Sequence, residues 1–171
     1  VTTDAAGQIS QIVAPGAATV NVDDADLPSG ITIIGGDTDP AGITVVAAST
    51  TAGSTGYELD AGYGLVEGTV YVDEDALGAY NAGDTPLANV DVVVTDSAGT
   101  TYTVTTDANG YFQQVVPAGS TTVDIDDADL PAGATLTDDS LAGEGSDPTV
   151  VIVPDGGIAT DNTGYLLSGS N

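Results

Sequence analysis

The sequence contains no lysine, arginine, histidine, cysteine, methionine or tryptophan, and a single phenylalanine. Each absence removes a class of chemistry. Without basic side chains, the 26 Asp and Glu residues stand unbalanced at a formal charge of -26, so every long-range field is negative. Nucleic acid is thereby excluded as a partner, and direct insertion into or adsorption onto an anionic membrane is equally disfavoured, because both rely on Lys and Arg. Without cysteine there are no disulfides or thiolate metal sites, and without lysine there is no lysine-to-asparagine isopeptide link. Nucleophile–base pairs of the common kinds cannot be assembled, and no phosphate clamp exists. Only paired-carboxylate glycoside hydrolysis remains chemically open, and its usual aromatic sugar cleft has little to be built from. The expectation is a protein that is not an enzyme.

The same absences leave trypsin-like proteases no cleavage site and oxidants few targets, which suits an extracellular setting. Adaptation to high salt accounts for such acidity too, and the two readings are compatible. There is no apolar run of 18 residues, so any export signal or anchor is expected outside this stretch. Divalent cations are the natural counterpart of so much carboxylate. The charge alone suggests disorder, but 41% of residues are hydrophobic and they are patterned.

Val90, Val92 and Val94 alternate with Asp91, Val93 and Thr95, the period of two of a strand with one buried face. Similar runs lie between turn signals at Ser97-Ala98-Gly99, Ala108-Asn109-Gly110, Pro117-Ala118-Gly119 and Leu130-Pro131-Ala132-Gly133. Strands are predicted over residues 68–72, 90–95, 101–106, 111–116, 121–125, 149–153 and 159–166, with no helical periodicity anywhere. Seven such strands make an all-β, Greek-key, immunoglobulin-like β-sandwich. The seven tyrosines (Tyr57, Tyr63, Tyr71, Tyr80, Tyr102, Tyr111 and Tyr165) fall mostly at strands or strand ends, where packing is their expected role.

Residues 104–133 repeat residues 1–30 with 18 of 30 positions identical and no gap. Past an indel of five residues, Asp39-Pro40 answers Asp147-Pro148 and Thr55-Gly56-Tyr57 answers Thr163-Gly164-Tyr165. A period of just over 100 residues is long enough for each unit to close its own core, so the repeat implies tandem domains. Residues 66–167 are expected to form a complete sandwich, and residues 1–59 the last four strands of a preceding copy. Residues 60–65 then form a linker, and residues 168–171 begin another. The missing first strands of copy one are supplied either by upstream chain or by a neighbouring chain through strand complementation.

From Gly68 the sequence GTVYVDEDALGAYNAGDTPLANVDVVVTDSAGTTYTVTTDANGYF resembles the B-type repeats of serine-aspartate repeat surface adhesins. It is similar more loosely to the collagen-adhesin B-type (Cna B) and transthyretin-like sandwiches. The shared pattern falls at Gly68, Val70, Asp73, Gly83, Asp84, Leu87, Val90, Val92, Val94, Asp96, Gly99, Thr105, Thr106, Asp107, Gly110 and Tyr111. The resemblance implies an extracellular, calcium-rigidified rod segment of a surface adhesin or fibre.

Residues 73–84, DEDALGAYNAGD, are the strongest local candidate for Ca2+. Numbered as a twelve-residue loop, they place Asp73 at position one, Asp75 at three, Gly78 at the sharp turn of six, the Ala79 carbonyl at seven, Asn81 at nine and Asp84 at twelve. Leu77 at position five has no ligand oxygen, and Asp84 is shorter than the usual Glu. The alternative is a solvated acidic loop whose carboxylates form turns. A second cluster, Asp124, Asp126, Asp127 and Asp129, has its counterpart in Asp23, Asp24 and Asp26, and reads either as a charged loop or as a cation site at a domain junction. Asp4 and Asp107 read as turn formers, with Asn109 and Gly110 expected to supply positive φ. The chain is therefore expected to be a stalk or filament module, with neighbouring repeats and divalent cations as partners. A self-assembling homo-oligomeric fibre subunit and a ligand-binding adhesin domain are the alternatives.

Overall fold

Alternating apolar positions with turn residues between them leave the chain one economical solution, a set of short strands that each bury one face. The computed structural model describes residues 1–4, 7–137 and 146–167; the expected start of a linker at 168–171 lies outside them. Two compact units are present, the first built from residues 1–27 and 31–58 and the second from residues 28–30 and 59–171.

The first unit contains β1 (Gly16–Val20), β2 (Ile31–Ile33), β3 (Ala41–Val45) and β4 (Tyr57–Leu59). β1 pairs antiparallel with β3, and β2 pairs with β4. The second unit contains β5 (Tyr63–Val72), β6 (Thr85–Pro86), β7 (Asp91–Thr95), β8 (Thr101–Thr105), β9 (Tyr111–Pro117), β10 (Gly119–Ile125), β11 (Ala134–Leu136), β12 (Thr149–Val153), β13 (Ile158–Thr160) and β14 (Thr163–Leu167). One sheet runs β12-β10-β7-β8. The other is organised on β5, which takes β9 and β6 antiparallel, β13 and β14 parallel, and β11 beyond β14.

Val66 and Val70 from β5, Val92 and Val94 from β7, Phe112 and Val116 from β9, Val123 and Ile125 from β10, with Val153 and Tyr165, close the core between the sheets. Each such side chain contributes on the order of 1.5–3 kcal/mol relative to exposure. The all-β sandwich expected from the Val90, Val92, Val94 alternation is therefore what forms, with those three residues turned inward.

Two expectations need correction. The first strand begins at Tyr63, inside residues 60–65 that were expected to form a linker. It begins there because residues 63–69 pair continuously with β9, from Tyr63 opposite Pro117 to Thr69 opposite Tyr111. Gly64 and Gly68 in this strand look like linker residues but mark close approach: a Cβ on Gly64 would overlap the Pro154 carbonyl, and one on Gly68 the Asp161 carbonyl. The last strand, expected over 159–166, is two strands. The break falls at Asp161 and Asn162, whose backbone N–H and side-chain Oδ1 bond to the Glu67 carbonyl and the Thr69 N–H respectively.

Aspartates shape the turns. Asp96 accepts the N–H groups of Ala98 (2.8 Å) and Thr100 (2.9 Å) and the Tyr102 hydroxyl (3.1 Å). Burial pushes its carboxyl up, but the Thr100 and Ala98 N–H donors, with the Tyr102 and Thr100 hydroxyls, together offset this and hold it below the usual carboxylate range. Asp107 accepts from Tyr111 (3.0 Å) and Asn109 (2.7 Å), which likewise lower it. Gly110 has φ of 70° as expected, whereas Asn109 does not adopt positive φ; its N–H is held by the Asp107 carboxylate instead.

Part of the repeat folds alike both times. Gly16 faces Val45 in the first unit as Gly119 faces Val153 in the second, and the rest of each ladder follows in step. The turn at Asp4 repeats that at Asp107, with Gln8 N–H on Asp4 Oδ1 at 2.9 Å. The acidic segments form matching single 3-10 turns at Asp24–Asp26 and Asp127–Asp129.

Candidate metal centre

β5 ends at Val72 and β6 starts at Thr85, and these two residues pair across the ladder. That pairing pinches residues 73–84 into a closed loop, bringing its first and last aspartates together. Among the described residues, Asp73, Asp75 and Asp84 are the one set of three acidic side chains whose ligand atoms all lie within 4.8 Å of one another. Asp73 is buried at 1% exposure, Asp84 partly buried and Asp75 exposed.

Gly78, at the turn position, has φ of 77° and donates its N–H to Asp73 Oδ2 at 2.9 Å, while its carbonyl accepts from the Tyr71 hydroxyl at 3.2 Å. Ala76 also has positive φ. Asp84 accepts from the N–H groups of Asn81 (2.7 Å) and Glu74 (3.2 Å), and Asp75 Oδ1 from Leu77 (3.2 Å). Asn81 turns its Nδ2 toward Asp75 Oδ2 and the Ala79 carbonyl, both at 3.2 Å, while its Oδ1 takes the Gly83 N–H at 2.8 Å. Leu77 projects outward, consistent with its lack of a ligand atom.

The second oxygen of Asp73, Oδ1, is buried with no hydrogen-bond partner. A buried carboxylate oxygen without a donor costs free energy, so an unpaired one in a cluster of acids is the chemistry of a cation ligand. Burial raises the Asp73 carboxyl, yet the Gly78 N–H and further nearby groups outweigh it and leave it below the ordinary range, and so ionised. The buried Thr137 hydroxyl lies beside Asp73 and helps lower its carboxyl, with no other partner of its own. Its backbone N–H hangs on Gly164 while that of Asp73 hangs on Tyr165, so β14 carries both.

The other sequence candidates are engaged differently. Asp126 Oδ1 caps its 3-10 turn through Ala128 N–H at 2.9 Å, and Asp23 does the same through Ala25 at 3.1 Å. Asp129 Oδ2 accepts the Asp91 N–H at 3.0 Å. Asp124 lies within β10, and Asp24, Asp26 and Asp127 lie in the turns. These residues do not gather into a three-acid group among the described residues.

Sequence reasoning missed a second construction, an aspartate clamp present in both copies. Asp147 takes the Ile125 N–H on Oδ1 at 2.9 Å and the Tyr165 hydroxyl on Oδ2 at 2.5 Å. Asp39 takes the Val22 N–H at 2.9 Å and the Tyr57 hydroxyl at 2.8 Å. Burial raises Asp147, with the charges of Asp124 and Asp127 adding to it. Tyr165 is pushed far above its ordinary value by burial and then by Asp147, and Tyr57 is raised to about 12. The sequence carries its signal: beyond the indel, the repeat keeps Asp-Pro and Thr-Gly-Tyr, the two ends of this bond.

No family model and no curated protein matches the chain. Among solved structures it is similar to GBS52, a minor pilin of Streptococcus agalactiae, at 13% identity and a TM-score of 0.45, with 84% of this chain covered. A streptococcal ancillary pilin (14%, TM-score 0.42, 82% covered) and BcpA, the major pilin subunit of Bacillus cereus (14%, TM-score 0.36, 67% covered), are also similar. The chain spans 62%, 46% and 35% of the lengths of these three proteins. Similarity at this level carries no weight for role.

Proposed function

We propose that the chain is a non-enzymatic structural repeat module of an extracellular stalk or filament, stiffened by calcium at residues 73–84. The observation that supports the scaffold part is the duplication of a strand ladder, register included, together with its turns. A copied catalytic domain would copy a cleft with its reacting groups; what is copied here is turns and strand pairing. Its composition supports an extracellular setting, and among the described residues no helix is long and apolar enough to cross a membrane.

The carboxylates of Asp73, Asp75 and Asp84 would hold the ion, with the Ala79 carbonyl as a further oxygen donor. All are hard oxygen ligands of the kind Ca2+ takes, and the orphaned Asp73 Oδ1 is the observation that favours an ion over a solvated loop. Bound, the doubly charged ion offsets two of the three clustered negative charges. The residues themselves fix where it sits: the Val72 and Thr85 pair closes the loop, and Gly78 N–H aims the Asp73 carboxylate.

Thermal melting with Ca2+ and with EDTA at physiological salt tests the ion, since a ligand that binds the folded state alone stabilises it by mass action. A melting curve unmoved by chelation removes the calcium reading. Electron microscopy of the native material tests the scaffold: extended rods or fibres are expected, and compact isolated particles overturn it.

A further inference from the structure

The first unit carries three strand segments whose partners in the second unit are known by register and are missing beside the first. Residues 8–14 align with β9, which in the second unit lies antiparallel to β5 with Phe112 opposite Gly68 and Val115 opposite Leu65. In the first unit the same residues form no strand, and the side chains that should be core are in solvent. Ile9 is 42% exposed where Phe112 is 2%, and Ile12 is 96% exposed where Val115 is 9%. Val13 repeats the contrast with fully buried Val116.

The second open edge is that of β1. Its counterpart β10 is paired on both sides, with β12 and with β7, whereas β1 has β3 alone. Val123 and Ile125 are core residues under β7, while the equivalent Val20 and Val22 remain half-exposed. The third is β4, whose counterpart β14 runs parallel to β5 with Tyr165 opposite Val72.

These edges specify their occupant. It must provide one strand antiparallel to residues 8–14 and parallel to β4, and a second strand antiparallel to residues 19–22. It must also turn a Val-x-Gly-x-Val row, as Val66, Gly68 and Val70 do, and a Val-x-Val row, as Val92 and Val94 do, onto the exposed isoleucines and valines. That is the pattern of β5 through β8. We propose that the first unit is the acceptor half of a sandwich, completed by a segment of this pattern belonging to the same polypeptide and joined directly ahead of Val1, as residues 63–103 are joined ahead of Val104.

A second copy is the less favourable source, because its own β5 and β7 are already bonded to β9, β10, β13 and β14 and would have to be released first. The assignment is independent of the calcium reading.

The test compares the 171-residue chain with one in which residues 63–103 are duplicated and fused ahead of Val1, using peptide-resolved hydrogen exchange and sedimentation. In the fused chain, amides of residues 8–14 and 19–22 are expected to exchange at least ~100-fold more slowly, in a monomer, with a second unfolding transition. The second unit is the internal folding reference: protected β10 amides with residues 8–14 still fast overturn the proposal. So does protection of 8–14 in the unfused monomer. Protection of the unfused chain only in a concentration-dependent dimer also overturns it, in favour of a second copy. A fused chain carrying Asp at the added copies of Val66 and Val70 is expected to lose the gain while the second unit stays protected.

Discussion

Tyr165→Phe deletes a single oxygen, the one that donates to Asp147 Oδ2 at 2.5 Å from a ring exposed by only 3%. A hydrogen bond to an ionised group contributes about 1.5–3 kcal/mol. Asp147 is only partly buried and keeps the Ile125 N–H on its other oxygen, so the lower part of that range, about 1.5–2 kcal/mol, is the expected loss. For a domain of this size that lowers the melting temperature by roughly 6–16 °C. The first unit provides the control: Tyr57→Phe removes the same bond, at 2.8 Å, from a more exposed pair, and should cost clearly less. Thermal and urea unfolding followed by circular dichroism give the energies. Hydrogen exchange at β10 and β14 shows whether the loss is local, and a cycle with Asp147→Asn isolates the pair. If the two phenylalanine variants are indistinguishable, or Tyr165→Phe moves the transition by less than about 2 °C, the clamp does not hold the sandwich as argued.

Gly68→Ala should destabilise the second unit by about 3 kcal/mol, since its methyl meets the Asp161 carbonyl and lies 2.8 Å from Phe112 Cε1. Gly99→Ala, with φ of 84° and nothing within 4 Å, should cost only the roughly 1–2 kcal/mol of conformation, and urea midpoints separate the two. Asp96 and Asp107 sit below their ordinary range in the fold, so the stability they contribute is present above about pH 4 and lost as pH falls through their depressed values. Asp147, raised, acts oppositely: its penalty disappears on acidification. Urea midpoints in EDTA between neutral and acid pH should therefore drop only below about pH 4, and Asp96→Asn should flatten the drop.

Much of the sandwich was legible because its strands obey a local rule. Val90, Val92 and Val94 announce their face without reference to anything distant, and Asp96 and Asp107 shape turns from within four residues. The start of β5 was hidden because the glycines that permit close packing against Pro154 and Asp161 are the residues that flexible linkers use. The break between β13 and β14 depends on Glu67 and Thr69, more than 90 residues earlier, and the bonds of Asn162 leave no periodic trace. The acidic loop showed its spacing in sequence. The orphaned Asp73 oxygen that distinguishes it from the Asp124 to Asp129 stretch is a property of burial, which spacing does not encode.

The parallel pairing of the first and last strands of the second unit has a mechanical consequence. β5 leads away from Tyr63 and β14 leaves in the same direction at Leu167, so tension on the two ends draws two neighbours lengthwise past each other. Tyr63 and Tyr165, the latter opposite Val72, lie roughly 30 Å apart along the strands, nine residue steps of β5. In that geometry the bonds joining Val70, Tyr71 and Val72 to Thr163, Gly164 and Tyr165 are strained together, along with those of β13, and must yield as a group. A hairpin tugged at both ends on one side peels one rung at a time; this arrangement resists as a lap joint does.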